Sequence, residues 1–204
     1  MFHFKKGYEY PSTHDITPKH LTEHIQVIRN IVSSNNKVLI VTKPHISCIQ
    51  RICEEFQNFK EQILFRFTIG STDSEILKFW ETQAPSFEER FEALKYAYNL
   101  GFKTSISCEP MLDDNTGFLI ETVKDYVTDT IWVGKANKLK DRLKRNGYTD
   151  AETLERAEDL IGMQSDLKIK ELYLKYKDFE MVEWKDSVKK VVGLKATVVK
   201  GADK

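Results

Sequence analysis

The chain has 204 residues, 41% of them hydrophobic, which is enough to bury one sizeable core in a single domain covering 1–204. Its 31 basic residues match its 31 acidic ones, which argues against a protein that binds polyanions over its whole surface. No segment has the length and hydrophobicity of a signal peptide or a membrane span, and three cysteines form no even-numbered disulfide framework. We therefore expect a cytoplasmic protein that does not contact membranes.

The first third of the chain alternates amphipathic helices with apolar strands. No element is predicted in residues 1–10. After them the pattern predicts a helix opening at Pro18, a strand at Lys37–Thr42, a helix over residues 46–56 and a strand at Ile63–Ile69. The core of the first of these strands, residues 38–41, is continuously apolar, which is typical of a strand covered on both faces.

Two capping boxes then mark helix starts. Thr72 is followed three residues later by Glu75, and Ser86 by Glu89, and each pair predicts the first turn of a helix. The second of these helices is predicted to end at Gly101.

The remaining pattern predicts strands at Lys103–Cys108, Thr130–Val133 and Phe179–Trp184, with helices near residues 117–128 and 150–177. Residues 200–204 are expected to fray. Five strands alternating with helices indicate parallel pairing, in either an open doubly wound α/β sheet or a barrel.

Ligands of parallel α/β proteins bind at the carboxyl ends of the strands, which makes Lys43 and Glu109 candidates. A buried ammonium needs an anion, so Lys43 is expected either to meet one or to lie along the sheet edge with its head in water. Alternatively, the Glu109 carboxylate forms an ion pair with Lys43 or Arg66 that has a structural role and binds no ligand.

A different pattern lies in the first helix. His20, Glu23 and His24 match H-x-x-E-H, in which two histidines bind zinc and the glutamate is the base of a hydrolase. In the other interpretation, the two histidines flank the apolar stripe of the helix and lie in solvent. No third zinc ligand is evident. The zinc-dependent hydrolase is therefore a distant alternative.

A basic segment runs from Lys135 to Arg145. It holds six basic residues against one acid, which is compatible with contacts to a nucleic acid backbone. A solvated helix face is the alternative interpretation of the same charges.

Several motifs, in order and spacing, resemble the spore photoproduct lyase and DNA repair photolyase-like branch of the radical S-adenosylmethionine enzymes. The residues that carry the resemblance are Ser12, Asp15, Thr42-Lys43, Phe67-Thr68-Ile69, Glu81–Ser86, Arg90 and Glu109–Leu112. The match covers about residues 12–112, roughly half of the chain.

The resemblance implies a fold, a cofactor and a set of binding residues. The fold would be a partial, incomplete barrel of the radical S-adenosylmethionine type. Lys43 and Ser12 would hold the carboxylate and amino end of S-adenosylmethionine, Thr68 would hydrogen-bond it, and Glu109 completes the predicted cofactor-binding set. Catalytic residues remain unassigned. An intact enzyme of this kind cleaves S-adenosylmethionine reductively to a 5′-deoxyadenosyl radical.

One departure from the family limits this expectation. The C-x3-C-x2-C motif that holds the family's [4Fe-4S] cluster is absent, and Cys48 and Cys53 would point about 140° apart on a helix. The five predicted strands fit the family's units two to six. We therefore expect a truncated, split or degenerate relative, with a cluster only if a missing segment or a partner supplies it.

The same gap predicts an exposed edge beside Lys37–Thr42, which a partner chain or an N-terminal segment would cover. The leading alternative in function is a non-catalytic module that binds the cofactor or nucleic acid.

Overall fold

The computed structural model describes residues 7–10 and 14–196. The strands are β1 (Gly7–Tyr10), β2 (Lys37–Thr42), β3 (Ile63–Thr68), β4 (Lys103–Cys108), β5 (Ile131–Val133) and β6 (Val182–Trp184). The helices are α1 (Leu21–Ser33), α2 (Ile46–Glu55), α3 (Ser74–Trp80), α4 (Phe87–Asn99), α5 (Thr116–Val123), α6 (Leu139–Arg145), α7 (Ala151–Met163), α8 (Asp166–Tyr176) and α9 (Asp186–Val192).

The described strands form one parallel sheet in the order β1-β2-β3-β4-β5-β6. Each strand therefore lies beside its neighbour in sequence, and helices connect them, as predicted. The α/β class with parallel pairing is confirmed. The sheet is open, because β1 and β6 stand at opposite ends of the order and do not pair.

The prediction of five strands is wrong, because β1 adds a sixth in the segment where no element was expected. Tyr8 pairs with Val38 and Tyr10 with Ile40, so the β2 edge is covered by this chain itself. The prediction of an uncovered edge beside Lys37–Thr42 is therefore wrong as well. A four-residue strand with Tyr8 and Glu9 exposed carries too little apolar periodicity for the sequence to indicate it.

The two faces of the sheet differ in chemistry. Side chains alternate across a strand, so Phe65, Phe67 and Ile106 share one face, where they join the main core with apolar residues of the helices. The opposite face carries Arg66, Thr68, Ser105, Ser107 and Trp132, which lie outside that core. We call these five residues the polar face.

The helix starts agree with the sequence in one place and differ in another. Ser86 caps α4, because its hydroxyl accepts a hydrogen bond from the Glu89 backbone N–H at 3.3 Å, as predicted. The predicted Thr72 cap is wrong. Asp73 caps α3 instead, because its carboxylate accepts from the backbone N–H groups of Glu75 and Ile76.

The long helix predicted over residues 150–177 is interrupted at Gln164. Its side chain accepts from the Ala136 backbone N–H and donates to the Met111 carbonyl, both at 2.7 Å, so it bridges α7 to two neighbouring loops. The helix predicted over 117–128 ends as α5 at Val123, and a short 3-10 turn follows. None of the helices in the described part of the chain has the length and apolar character needed to cross a bilayer.

Candidate functional site

Polar residues collect at the carboxyl ends of the strands. Asp15 follows β1, Lys43 follows β2, Thr68 ends β3, Glu109 follows β4 and Lys185 follows β6. Parallel strands bring these positions to one edge of the sheet, which is where ligands bind in this architecture. Ser12, another predicted site residue, lies outside the described residues.

Asp15 and Lys43 form an ion pair at this edge. The Lys43 ammonium lies 2.9 Å from Asp15 Oδ2, and the Lys43 backbone N–H donates to Asp15 Oδ1 at 2.7 Å. The Thr42 hydroxyl also contacts that oxygen. Burial opposes the charge on Asp15, but these donors outweigh it and hold the pKa of its carboxyl below the ordinary value. Both side chains stay partly exposed, at 27% for Lys43 and 34% for Asp15.

Glu109 forms an ion pair, but not with Lys43 or Arg66, the partners that the sequence suggested. Its carboxylate lies 3.2 Å from the ammonium of Lys185, whereas Lys43 has Asp15 as its partner. The strand order explains the difference, because β3 separates the end of β2 from the end of β4. Arg66 also has other contacts, since its Nε donates to the Ser105 hydroxyl at 3.1 Å.

Thr68 is positioned by a buried arginine. The Arg90 side chain is 0% exposed, and its Nη1 donates to the Thr68 carbonyl at 3.1 Å while its Nε donates to the Pro85 carbonyl at 2.8 Å. Glu81 lies 2.7 Å from Arg90 Nη2. The Glu81–Ser86 segment and Arg90 were both selected from the sequence. Through the contacts of Arg90 with Glu81, Pro85 and Thr68, they form one cluster at the end of β3, which we call the Arg90 anchor.

Trp132, on β5, is the aromatic residue of the polar face. The Arg66 guanidinium carbon lies 5.4 Å from the centre of its ring, and the Lys185 ammonium lies 4.8 Å from it. Register pairs Trp132 with Ser107 on one side and Glu183 on the other. Its indole Nε1 is buried and has no hydrogen-bond partner within residues 7–10 and 14–196. Trp132 was not among the residues predicted from the sequence, although its place inside an apolar three-residue strand is a recognisable signal.

A hydrogen bond between Ser71 and Asp113 connects the loops that follow β3 and β4. The buried Ser71 hydroxyl donates to Asp113 Oδ2 and accepts from the Asp73 backbone N–H at 2.8 Å. Burial is the main reason that the pKa of Asp113 is raised. The loops after β3 and β4 are thereby held together.

The three cysteines do not fit an iron-sulfur cluster. Cys48, Cys53 and Cys108 are all buried in the main core. Burial raises the pKa of all three thiols, that of Cys53 to about 12, whereas cluster ligands are thiolates. Among the residues described, no group of three or more His, Cys, Asp or Glu side chains is placed to hold a metal.

The two histidines of the H-x-x-E-H pattern are differently placed. His20 is exposed in the 3-10 turn before α1, whereas His24 is half-buried and its Nδ1 lies 2.6 Å from the Tyr10 hydroxyl. The pattern therefore straddles a break between two helix types, and His24 contacts β1 through Tyr10.

The basic segment contains the exposed helix α6. Lys140 pairs with Glu158 of α7 at 2.7 Å, and Lys135 lies 3.5 Å from Asp166 of α8. The other four basic residues of the segment are exposed: Lys138, Arg142, Lys144 and Arg145. Part of the charge is thus compensated by neighbouring helices.

No family model, no curated protein and no solved structure matched this chain.

Proposed function

We propose that this chain is a relative of the spore photoproduct lyase branch of the radical S-adenosylmethionine proteins, with a partial-barrel fold, and that it binds S-adenosylmethionine. The cofactor's amino-acid end would lie at the Asp15–Lys43 pair. The open parallel sheet, whose strand ends gather polar residues at one edge, supports this proposal.

The single observation that carries the proposal is the paired charge at the end of β2. An amino acid presents a carboxylate and an ammonium a few ångströms apart, and Lys43 with Asp15 offers the opposite charges at 2.9 Å. Both side chains are partly exposed, so the pair is within reach of a ligand. Asp15 takes the amino-group role in this proposal, and Thr68 is a hydroxyl residue at the end of β3, the strand next to β2.

Radical chemistry does not follow from this site. The three buried cysteines are all that the sequence has and do not fit a [4Fe-4S] cluster, so its ligands would have to come from another polypeptide or from a segment that is not in this sequence. We therefore propose that these residues bind the cofactor and that the described part of the chain does not cleave it.

Calorimetric titration with S-adenosylmethionine tests the proposal. Lys43→Ala should weaken binding by at least about tenfold, because the ligand carboxylate loses its charged partner. Asp15→Asn should weaken it as well, through the ligand's ammonium group. Lys37→Ala is the matched control, since Lys37 is exposed at the amino end of the same strand and should leave the affinity unchanged.

Two results would contradict the proposal. One is the absence of heat of binding in the unmodified protein. The other is equal affinity in the Lys43→Ala and Lys37→Ala variants, which would mean that the Asp15–Lys43 pair does not bind the ligand.

Nucleic acid binding is a second candidate, supported by the surface beside α6. Phe79, Trp80, Tyr148 and Arg156 line a groove of about 660 Å³ there, and Tyr148 is 57% exposed. Aromatic rings next to basic side chains suit stacked bases and their phosphates. Leu143 of the basic segment Lys135–Arg145 also lines the groove, so the rings lie beside that segment, which the sequence did not indicate.

Fluorescence anisotropy with a labelled single-stranded oligonucleotide tests this candidate. Binding should weaken steeply with salt, and Tyr148→Ala should reduce it by about fivefold or more, as expected for one lost stacking contact. Lys177→Ala, which removes an exposed charge after α8, is the control. Binding that is indifferent to salt and to Tyr148 would remove the candidate.

A further inference from the structure

We propose that Trp132, Arg66 and Lys185 form a binding subsite for the phosphate group of a small molecule on the polar face of the sheet. This subsite is distinct from the Asp15–Lys43 pair and does not depend on S-adenosylmethionine binding. It lies on β3, β5 and the end of β6, whereas the pair lies at the ends of β1 and β2.

The indole N–H of Trp132 is the observation that points to a ligand. The residue is 6% exposed, and none of the described residues accepts a hydrogen bond from its Nε1. A buried donor is normally paired, because burial removes its hydrogen bonds to water and leaving it unpaired costs free energy. A tryptophan can only donate, so the missing partner must be an acceptor, such as an oxygen atom.

The two cations beside the indole favour an anionic acceptor, and Glu183 is the acidic residue that pairs with Trp132 in the register. The Arg66 guanidinium and the Lys185 ammonium both lie within 5.4 Å of the ring centre. Each also has an acidic neighbour: Arg66 Nη2 lies 4.0 Å from Asp129, and Lys185 lies 3.2 Å from Glu109. These acids hold the cations beside the ring, and neither acid supplies an acceptor to the indole.

A phosphate fits these donors better than a monocarboxylate does. Its oxygens are arranged tetrahedrally and can accept from an indole N–H, a planar guanidinium and an ammonium together. Ser107, which pairs with Trp132 in the register, adds a hydroxyl on the same face. The Lys185 side chain is 13% exposed and that of its partner Glu109 is 35% exposed, so this pair retains some contact with solvent.

The indole N–H signals in a ¹H–¹⁵N correlation spectrum test the proposal directly. The chain has three tryptophans, so the spectrum offers one reporter and two internal references. Inorganic phosphate and adenosine 5′-monophosphate are titrated separately at constant ionic strength, with chloride as the reference anion. The Trp132 signal, assigned by its loss in Trp132→Phe, should move saturably while those of Trp80 and Trp184 stay in place. The tighter of the two probes identifies the source, either free phosphate or a phosphomonoester.

Variants connect the shift to the three residues. Lys185→Met and Arg66→Met should each weaken the apparent affinity at least fivefold. Trp132→Phe, which lacks the reporter signal and is measured by calorimetry, should weaken it while keeping a ring in place. Trp184→Phe makes the same exchange in β6, on the face that joins the main core, and should leave affinity unchanged. Far-ultraviolet circular dichroism verifies that each variant is folded.

The proposal would be overturned by a Trp132 signal that does not respond to either probe. Equal movement of all three indole signals would overturn it too, because that is a general effect of salt. A response that survives in both Lys185→Met and Arg66→Met would also exclude the subsite. Loss of S-adenosylmethionine binding in Lys43→Ala would leave this titration unaffected, so the two proposals fail separately.

Discussion

Replacing Arg90 with methionine should destabilise the protein more than any exposed arginine replacement. The guanidinium is completely buried and makes an ion pair with Glu81 and hydrogen bonds to the carbonyls of Pro85 and Thr68. Methionine fills much of the same space but can neutralise or donate to none of these groups. The variant therefore measures the contribution of the polar contacts of the Arg90 anchor to the free energy of unfolding.

The magnitude follows from what is left behind. The Glu81 side chain is only 13% exposed, so the variant strands a nearly buried carboxylate. Removing one partner of a buried ion pair costs about 3–5 kcal/mol, and we expect Arg90→Met to fall in that range. The double variant Glu81→Leu/Arg90→Met should be milder, because no charge remains unpaired.

Urea unfolding followed by circular dichroism measures the effect, since a shift of the midpoint at constant slope reports the change in stability. Arg51→Ala is the control, because Arg51 is 56% exposed and pairs along α2 with Glu54 and Glu55. It should cost under about 1 kcal/mol. Equal losses in Arg90→Met and Arg51→Ala would refute the reasoning.

Three further predictions concern the edge of the sheet and the core. The Asp15 carboxyl has a lowered pKa, so its contribution to stability is present above the ordinary value of 3.8 and is lost as the pH falls through the folded value. Unfolding measured across this range should show that loss, and Asp15→Asn should abolish it. The buried cysteines should not react with a thiol reagent at about pH 8 until the protein unfolds, and rapid labelling of the native protein would contradict their placement. Gly70→Ala should cost about 1–3 kcal/mol in urea unfolding, because a Cβ there would lie 2.6 Å from the Pro110 carbonyl oxygen; a neutral result would mean that this loop yields.

Much of the α/β alternation could be predicted because the strands in the middle of the sheet are apolar and the helices between them are amphipathic. The strands β2, β3 and β4 are buried along most of their length, so Val38, Phe65 and Ile106 give an unambiguous signal. The strand β1 could not be found in this way. It stands at the edge of the sheet, and its four residues depend on β2 for their hydrogen bonds.

The candidate site was predictable in position but not in pairing. The rule that ligands bind at strand ends selected Lys43 and Glu109 correctly as residues of that edge. Their partners depend on strand order and loop path, which set Asp15 beside Lys43 and Lys185 beside Glu109. The Trp132 indole N–H, which has no acceptor among the described residues, is likewise a result of three-dimensional packing, and no local sequence pattern predicts it.

The most direct measurement of the central claim compares two ligands that differ in the amino-acid end alone. S-adenosylhomocysteine carries this end, and 5′-methylthioadenosine lacks it, so competition calorimetry isolates the contacts assigned to Asp15 and Lys43. We predict that S-adenosylhomocysteine binds at least about tenfold more tightly and that Lys43→Ala removes most of the difference. Equal affinities in the unmodified protein, or a preference that Lys43→Ala leaves intact, would contradict the assignment.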